Sequence, residues 1–210
     1  MAKEKLKIMV SSTVYGSEEL LDRIYTLLTQ FGYVVWMSHK GTLPVTSTKT
    51  AFENCLEAVQ ECDLFLGIIT PNYGSGKQDG EISITHQEIR RAIELNKPRW
   101  FLAHDQVVFA RKLLVDLGYK TLKKREELSL KKGASSISDL RVVQMYEDAI
   151  RDQLPLDERE GNWAQKFDRD DDAQLFIVSQ FSRYQEVEER IKENLSNVDQ
   201  LKTRVRGGEL

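Results

Sequence analysis

The first half of the chain switches regularly between two hydrophobic periods. Residues 6–10 form a short apolar run rich in β-formers and read as a strand. Residues 18–31 place Leu20, Leu21, Ile24, Leu27 and Leu28 at helical spacing, and Gly32 closes that helix as a left-handed cap. Residues 33–37 (YVVWM) read as a second strand. Residues 50–62 read as a helix with Phe52, Cys55, Leu56 and Val59 on one face. The third strand, residues 64–70 (LFLGIIT), is almost continuously apolar, as suits a strand buried on both faces of a parallel sheet. Residues 85–96 give a helix with Ile89, Ala92 and Ile93 inward, ended by Pro98, and residues 99–103 a fourth strand. Strands alternating with helices in this way predict a doubly wound parallel sheet with helices on both faces.

The second half carries weaker periodicity. Residues 106–117 and 139–153 read as helices separated by a break at Ser135 and Ser136, and residues 163–167 (WAQKF) alternate as a possible fifth strand would. Residues 121–133 are strongly basic, with Lys123, Lys124, Arg125, Lys131 and Lys132. They read either as a solvated helix face and loop or as a patch for an anionic ligand or a nucleic acid. Asp170, Asp171 and Asp172 precede a long periodic stretch, and three acids there suit a helix N-terminus better than a metal. A single helix is expected over residues 173–205. Tyr184, Val187, Ile191, Asn194, Val198, Leu201 and Val205 fall three and four apart along it, a heptad seam with one polar position. That stripe packs either on the chain's own sheet or on a second copy.

Composition narrows the class. The chain has 210 residues, 40% of them hydrophobic, enough for one core and too much for a disordered chain. Lys and Arg number 30 against 33 Asp and Glu, a net charge of −3, which argues against sequence-independent phosphate contacts and direct nucleic-acid binding. No run approaches the roughly 18 apolar residues of a membrane helix, and the N-terminus lacks a signal-peptide core. A cytoplasmic protein with no membrane partner is expected. Cys55 and Cys62, about 10 Å apart on one helix by a rise of about 1.5 Å per residue, are expected as reduced thiols. His39, His86 and His104 are too scattered for a metal site.

In an open parallel sheet, ligands bind beyond the carboxyl ends of the strands. That rule gathers Ser11, Ser12, Thr13 and Tyr15 after the first strand. It adds Ser38 and His39 just past Trp36, then Tyr73 and the helix bearing His86 and Glu88, then His104 and Asp105. Hydroxyls suit sugar and phosphate oxygens, and rings suit a base. Neither G-x-G-x-x-G, nor a Walker motif, nor a G-x-S-x-G elbow is present, so dinucleotide redox chemistry, phosphoryl transfer and serine hydrolysis lose support. Glu88 has two compatible readings. Thr85 and Glu88 fit a capping box, and a carboxylate at the cleft mouth suits an oxocarbenium-like centre.

Four segments in this order, Val10-Ser11-Ser12-Thr13, Asp63 to Ile68, Tyr73-Gly74 and Ser83 to Glu88, resemble the domain of unknown function 4062. That group is related to Toll/interleukin-1 receptor (TIR) domains and to nucleoside deoxyribosyltransferases. The likeness is closest over about residues 5–105. It implies a flavodoxin-like, TIR-like α/β sheet of four or five parallel strands, with residues 1–105 as the core and residues 106–210 as a helical extension completing the same domain. The TIR likeness, Ile69-Thr70-Pro71-Asn72-Tyr73 followed by Glu88, implies Glu88 as the catalytic residue of NAD cleavage. Where TIR domains carry Trp-Cys before that Glu, this chain has Ile84-Thr85.

The expected function is therefore cleavage of the N-glycosidic bond of NAD or a related nucleotide, in defence signalling, with a nucleoside transferase as sister reading. NAD is substrate here, and no cofactor is expected. Ser11, Ser12, Thr13, Tyr15, Trp36, Tyr73 and His86 are the expected substrate-binding residues. The alternative is a non-enzymatic module that binds a nucleotide or a protein and self-assembles through its C-terminal helix. Members of the group are often fused to oligomerising ATPases, so a homo-oligomer or an activating partner protein is expected to supply the trigger.

Overall fold

Five parallel strands form one sheet, in the order β2-β1-β3-β4-β5, in the computed structural model, which describes residues 5–75, 82–183 and 186. They are β1 (Lys7–Ser12), β2 (Val34–Trp36), β3 (Leu64–Ile69), β4 (Arg99–His104) and β5 (Ala164–Phe167). Every residue of the central strand β3 is buried, which is why its sequence shows no alternation. β1 and β4 flank it, and β5 pairs with β4 from Phe101↔Ala164 to His104↔Phe167. The second half of the chain thus supplies the last strand of the same sheet.

The strands sort their side chains by parity. Ile8, Val10, Leu64, Leu66, Ile68 and Leu102 face a layer built from α1 (Glu18–Gln30) and α7 (Asp170–Phe181). Met9, Phe65, Ile69, Phe101 and Ala103 face the opposite layer, where α2 (Ala51–Glu61), α3 (Ile84–Glu94), α4 (Asp105–Asp116) and α6 (Arg141–Ala149) pack. In α1, Leu20, Leu21, Ile24 and Leu28 are the buried positions, each stabilising the fold by about 1.5–3 kcal/mol. Gly32, at φ 100°, follows as its left-handed cap. On β3, Gly67 leaves room for a ring: a Cβ there would lie 2.8 Å from Phe101.

The single helix over residues 173–205 is not continuous. It starts at Asp170 and ends at Phe181, with Ser182 and Arg183 outside it, and the seam from Tyr184 to Val205 lies outside the described residues. Asp172 accepts the backbone N–H of Arg169, as helix-capping acids do. The basic stretch holds α5 (Leu122–Arg125), but its Arg125 is not solvated. It is 2% exposed and clamps Glu147 of α6 through two bonds of 2.6 and 2.7 Å. Lys123, Lys124, Lys131 and Lys132 are exposed. Cys62 caps the end of α2 in the core, and Cys55 is half-buried. Among the described residues no helix is long and apolar enough to cross a membrane.

Candidate active site

The order β2-β1-β3 means that the chain leaves β1 toward one side and fills the other side later. The topological switch point therefore lies between β1 and β3. Ser11 and Gly67 are register partners there. By strand parity Ser11, like Met9, faces α3. It is 2% exposed, and its hydroxyl donates to Glu88 Oε2 at 2.5 Å. α2 brings a second donor, the thiol of Cys55, to the same carboxyl.

Glu88 reaches this position because α3 begins earlier than a Thr85 cap would put it. Ser83, in extended backbone, is the N-cap, and its hydroxyl accepts the N–H of His86. Glu88 lies beyond the first turn and takes no part in capping. It is 6% exposed, and desolvation pushes its carboxyl up to about 7 against the opposing pull of the Ser11 and Cys55 hydrogen bonds. Burial and the nearby Glu88 charge in turn push the Cys55 thiol up to about 12. The site is a carboxyl poised near neutrality, fixed by two protonated donors.

A second polar chain starts three residues after the N-cap. Tyr73 Oη and His86 Nδ1 are 2.8 Å apart, and His86 Nε2 lies 2.8 Å from Asp148 Oδ2, which also accepts Arg90 Nε at 2.6 Å. Ser83 N–H donates to the Tyr73 hydroxyl. With that lone pair occupied, the tyrosine donates to Nδ1, so the His86 proton sits on Nε2 and points at Asp148. Burial lowers the pKa of His86 and keeps it neutral.

The expected binding residues thus divide. Ser11 meets Glu88, and Tyr73 meets His86, each buried and bonded to protein. Ser12 donates to the Thr13 carbonyl. Thr13 Oγ1 is buried without a partner and sits where a Cβ on Gly74 would lie 2.9 Å away, so the left-handed Gly74 is needed for this approach. Tyr15 is 79% exposed, and Trp36 lies in the core under Lys7. Among the described residues no hydrogen bond or ring contact joins Tyr15 or Trp36 to Glu88. Cys55, Ser83, Arg90 and Asp148 are the participants that the sequence reading did not place. Only Ser83 carried a local signal, as a hydroxyl three residues before His86.

The sequence pattern of the family described as Domain of unknown function (DUF4062) matches residues 7–206. The chain belongs to the DUF4062 family. No curated protein matches it. Among solved structures it is similar to the TIR domains in the structure of the activated Roq1 resistosome directly recognizing the pathogen effector XopQ. That similarity stands at 15% identity and a TM-score of 0.42, covering 71% of this chain and 100% of the other. In this DUF4062 chain the carboxyl end of the sheet is built by both halves. Ser138 N–H donates to the Pro71 carbonyl, and its hydroxyl accepts Tyr73 N–H, which ties residues 71–73 to the segment before α6.

Proposed function

We propose that this protein cleaves the N-glycosidic bond of NAD or a related nucleotide, with Glu88 as the catalytic carboxylate. The observation that supports this reading is a buried carboxyl beside the switch point, with a pKa of about 7 and a hydroxyl already donating to it. A ribose hydroxyl replacing Ser11 as donor would bring the carboxylate against the sugar. The negative charge then stabilises the cation that develops at the anomeric carbon as the C–N bond breaks. The bond electrons leave with the base, and water or another acceptor adds to the sugar carbon and loses a proton.

One observation favours a second reading, a non-enzymatic nucleotide-binding or protein-interaction module. Glu88 is 6% exposed and its donors belong to the protein, so it also serves as an internal tie between α3 and β1. Self-assembly through residues 184–205 belongs to that reading.

The experiment incubates purified wild-type and Glu88→Gln protein, concentrated and with a crowding agent, with NAD and with a nucleoside pool, and follows free base by chromatography. Base release by wild type alone supports the enzyme. Silence from both folded proteins favours the module.

A further inference from the structure

We infer that the cleft between α7 and the β4–β5 edge of the sheet is a docking groove for residues 187–198 of the same chain, with Val187, Ile191 and Val198 turned inward. The spacing of these residues leaves two partners open, the chain's own sheet or a second copy, and the groove selects the own sheet. The inference does not rest on the catalytic reading.

The groove is a bare strip of sheet. β5 is the last strand in the sheet order, and the cleft beside it holds about 690 Å³. Trp100, Trp163 and Gln165 line it from the sheet side, and Leu175, Phe176 and Ser179 line it from α7. Trp163 is 71% exposed and Leu175 67%, so an indole and a leucine from neighbouring elements are open together. α7 carries Leu175-Phe176-Ile177-Val178 in a row. Phe176 and Ile177 are buried in the core, and Leu175 and Val178 remain exposed. A helix with apolar residues on both its inner and outer sides needs cover on both.

The chain itself leads to this groove. The Trp100 and Phe181 rings lie 4.9 Å apart, so α7 ends beside the start of β4. Gln180 lines the cleft, the helix stops at Phe181, and residues 184–210 follow directly after Arg183. A loop of about 2–5 residues reverses the chain between antiparallel helices. From Asp172 to Gln180, α7 borders about 12 Å of the cleft, and residues 187–198 span about 16 Å at helical rise. A reversal after Phe181 brings Val187 toward Gln180 and Ile191 toward Leu175.

Charge agrees in sign. Arg99 donates to the Asn96 side chain and to the Lys97 and Glu160 carbonyls, and its buried Nε has no partner. Arg151 shares the Glu160 carbonyl. Among the described residues neither arginine forms an ion pair, and the Glu160 carboxylate attracts Arg99 only from beyond ion-pair distance. The other charges on the walls are taken: Lys166 pairs with Asp105, and Asp172 accepts the Arg169 N–H. The returning segment opens with Glu188 and Glu189, ahead of one base, Arg190, and those acids arrive at the Arg99 end of the groove.

The test uses the full chain. Leu175→Cys combined with Ile191→Cys, treated with a short bismaleimide, should give a crosslink between positions 175 and 191 at the mass of one chain, its extent unchanged by tenfold dilution. In a separate series, Ile191→Asp should raise acrylamide quenching of Trp163 about twofold or more, with the Trp163 signal identified by Trp163→Phe. Glu188→Lys with Glu189→Lys should raise it in the same direction. The quenching series keeps the inference testable if the cysteine variant fails to fold. Absence of the 175–191 crosslink in the folded variant, a crosslink formed between two chains, or quenching that is unchanged in the seam or the charge variant overturns the assignment. Neither readout involves base release, so failure of the catalytic reading leaves this test intact.

Discussion

Ser11, at the end of β1, donates its hydroxyl to Glu88 on α3 at 2.5 Å, across 77 positions of sequence. The bond joins the sheet to the helix layer at the switch point. It also sets the energetics of the site, because the acceptor is a carboxyl held near 7 by burial.

A carboxyl at about 7 instead of its ordinary 4.5 makes the native state bind more protons than the unfolded chain between those values. Stability therefore falls as pH rises through that window, by about 3 kcal/mol in all at 1.36 kcal/mol per pH unit. Glu88→Gln removes the ionisation and retains an acceptor for Ser11. Urea unfolding should show the variant gaining on wild type by about 2 kcal/mol between pH 5 and pH 8. The same stability difference at both pH values contradicts a buried, poised Glu88.

Cys55 and Cys62 should be slow thiols. Burial raises them to about 12 and about 11, against about 8.5 for a free cysteine, so little thiolate exists at pH 8. Alkylation by iodoacetamide at pH 8 is expected to be at least about 100-fold slower than for a free thiol and to speed up in urea. Fast labelling of Cys55 in the folded protein would show that its thiol is not held against Glu88.

The alternation of strand and helix was legible because each element keeps one hydrophobic period. Sequence reading stopped β1 at Val10, where the apolar run ends. The strand continues to Ser12 because Ser11 is buried against Glu88, a partner far along the chain. The capping-box pattern pointed to Thr85; the extended backbone at Ser83 makes Ser83 the cap instead, and that frees Glu88 from capping. Nothing in the pattern singled out Asp148, which lies 62 positions from His86 and meets it only through the packing of α6 on α3. The periodic stretch over residues 173–205 suggested one helix, where α7 ends at Phe181. Glu88 itself was legible as a candidate, but its burial was not.

Arg125 separates a structural arginine from the exposed lysines around it. Its guanidinium clamps Glu147 and donates to the Tyr119 and Lys120 carbonyls at 2.9 and 2.8 Å. Arg125→Ala leaves Glu147 with Arg111 alone and should cost about 3–5 kcal/mol. Lys123→Ala and Lys124→Ala should each stay within about 0.5 kcal/mol in the same denaturation series. Equal small losses at all three positions would return this stretch to a solvated face.

The His86–Asp148 chain makes a pH prediction of opposite sign to that of Glu88. Burial lowers the His86 pKa below its ordinary 6.5, so as pH falls the unfolded chain takes up the proton first. The stability that neutral His86 contributes is full above 6.5 and is lost as pH drops through and below that value. In wild type this limb is masked by Glu88, whose effect runs the other way. In a Glu88→Gln background the stability should rise between pH 5 and pH 7. Adding His86→Ala should reduce that rise to the part left by His104, whose pKa burial also lowers, and cost about 2–4 kcal/mol at pH 7, because the Tyr73 hydroxyl loses its acceptor while Asp148 Oδ2 loses one of two donors and keeps Arg90. A pH slope left unchanged by His86→Ala assigns the titration to another group, His104 first, and removes His86 from its neutral, Nε2-protonated role.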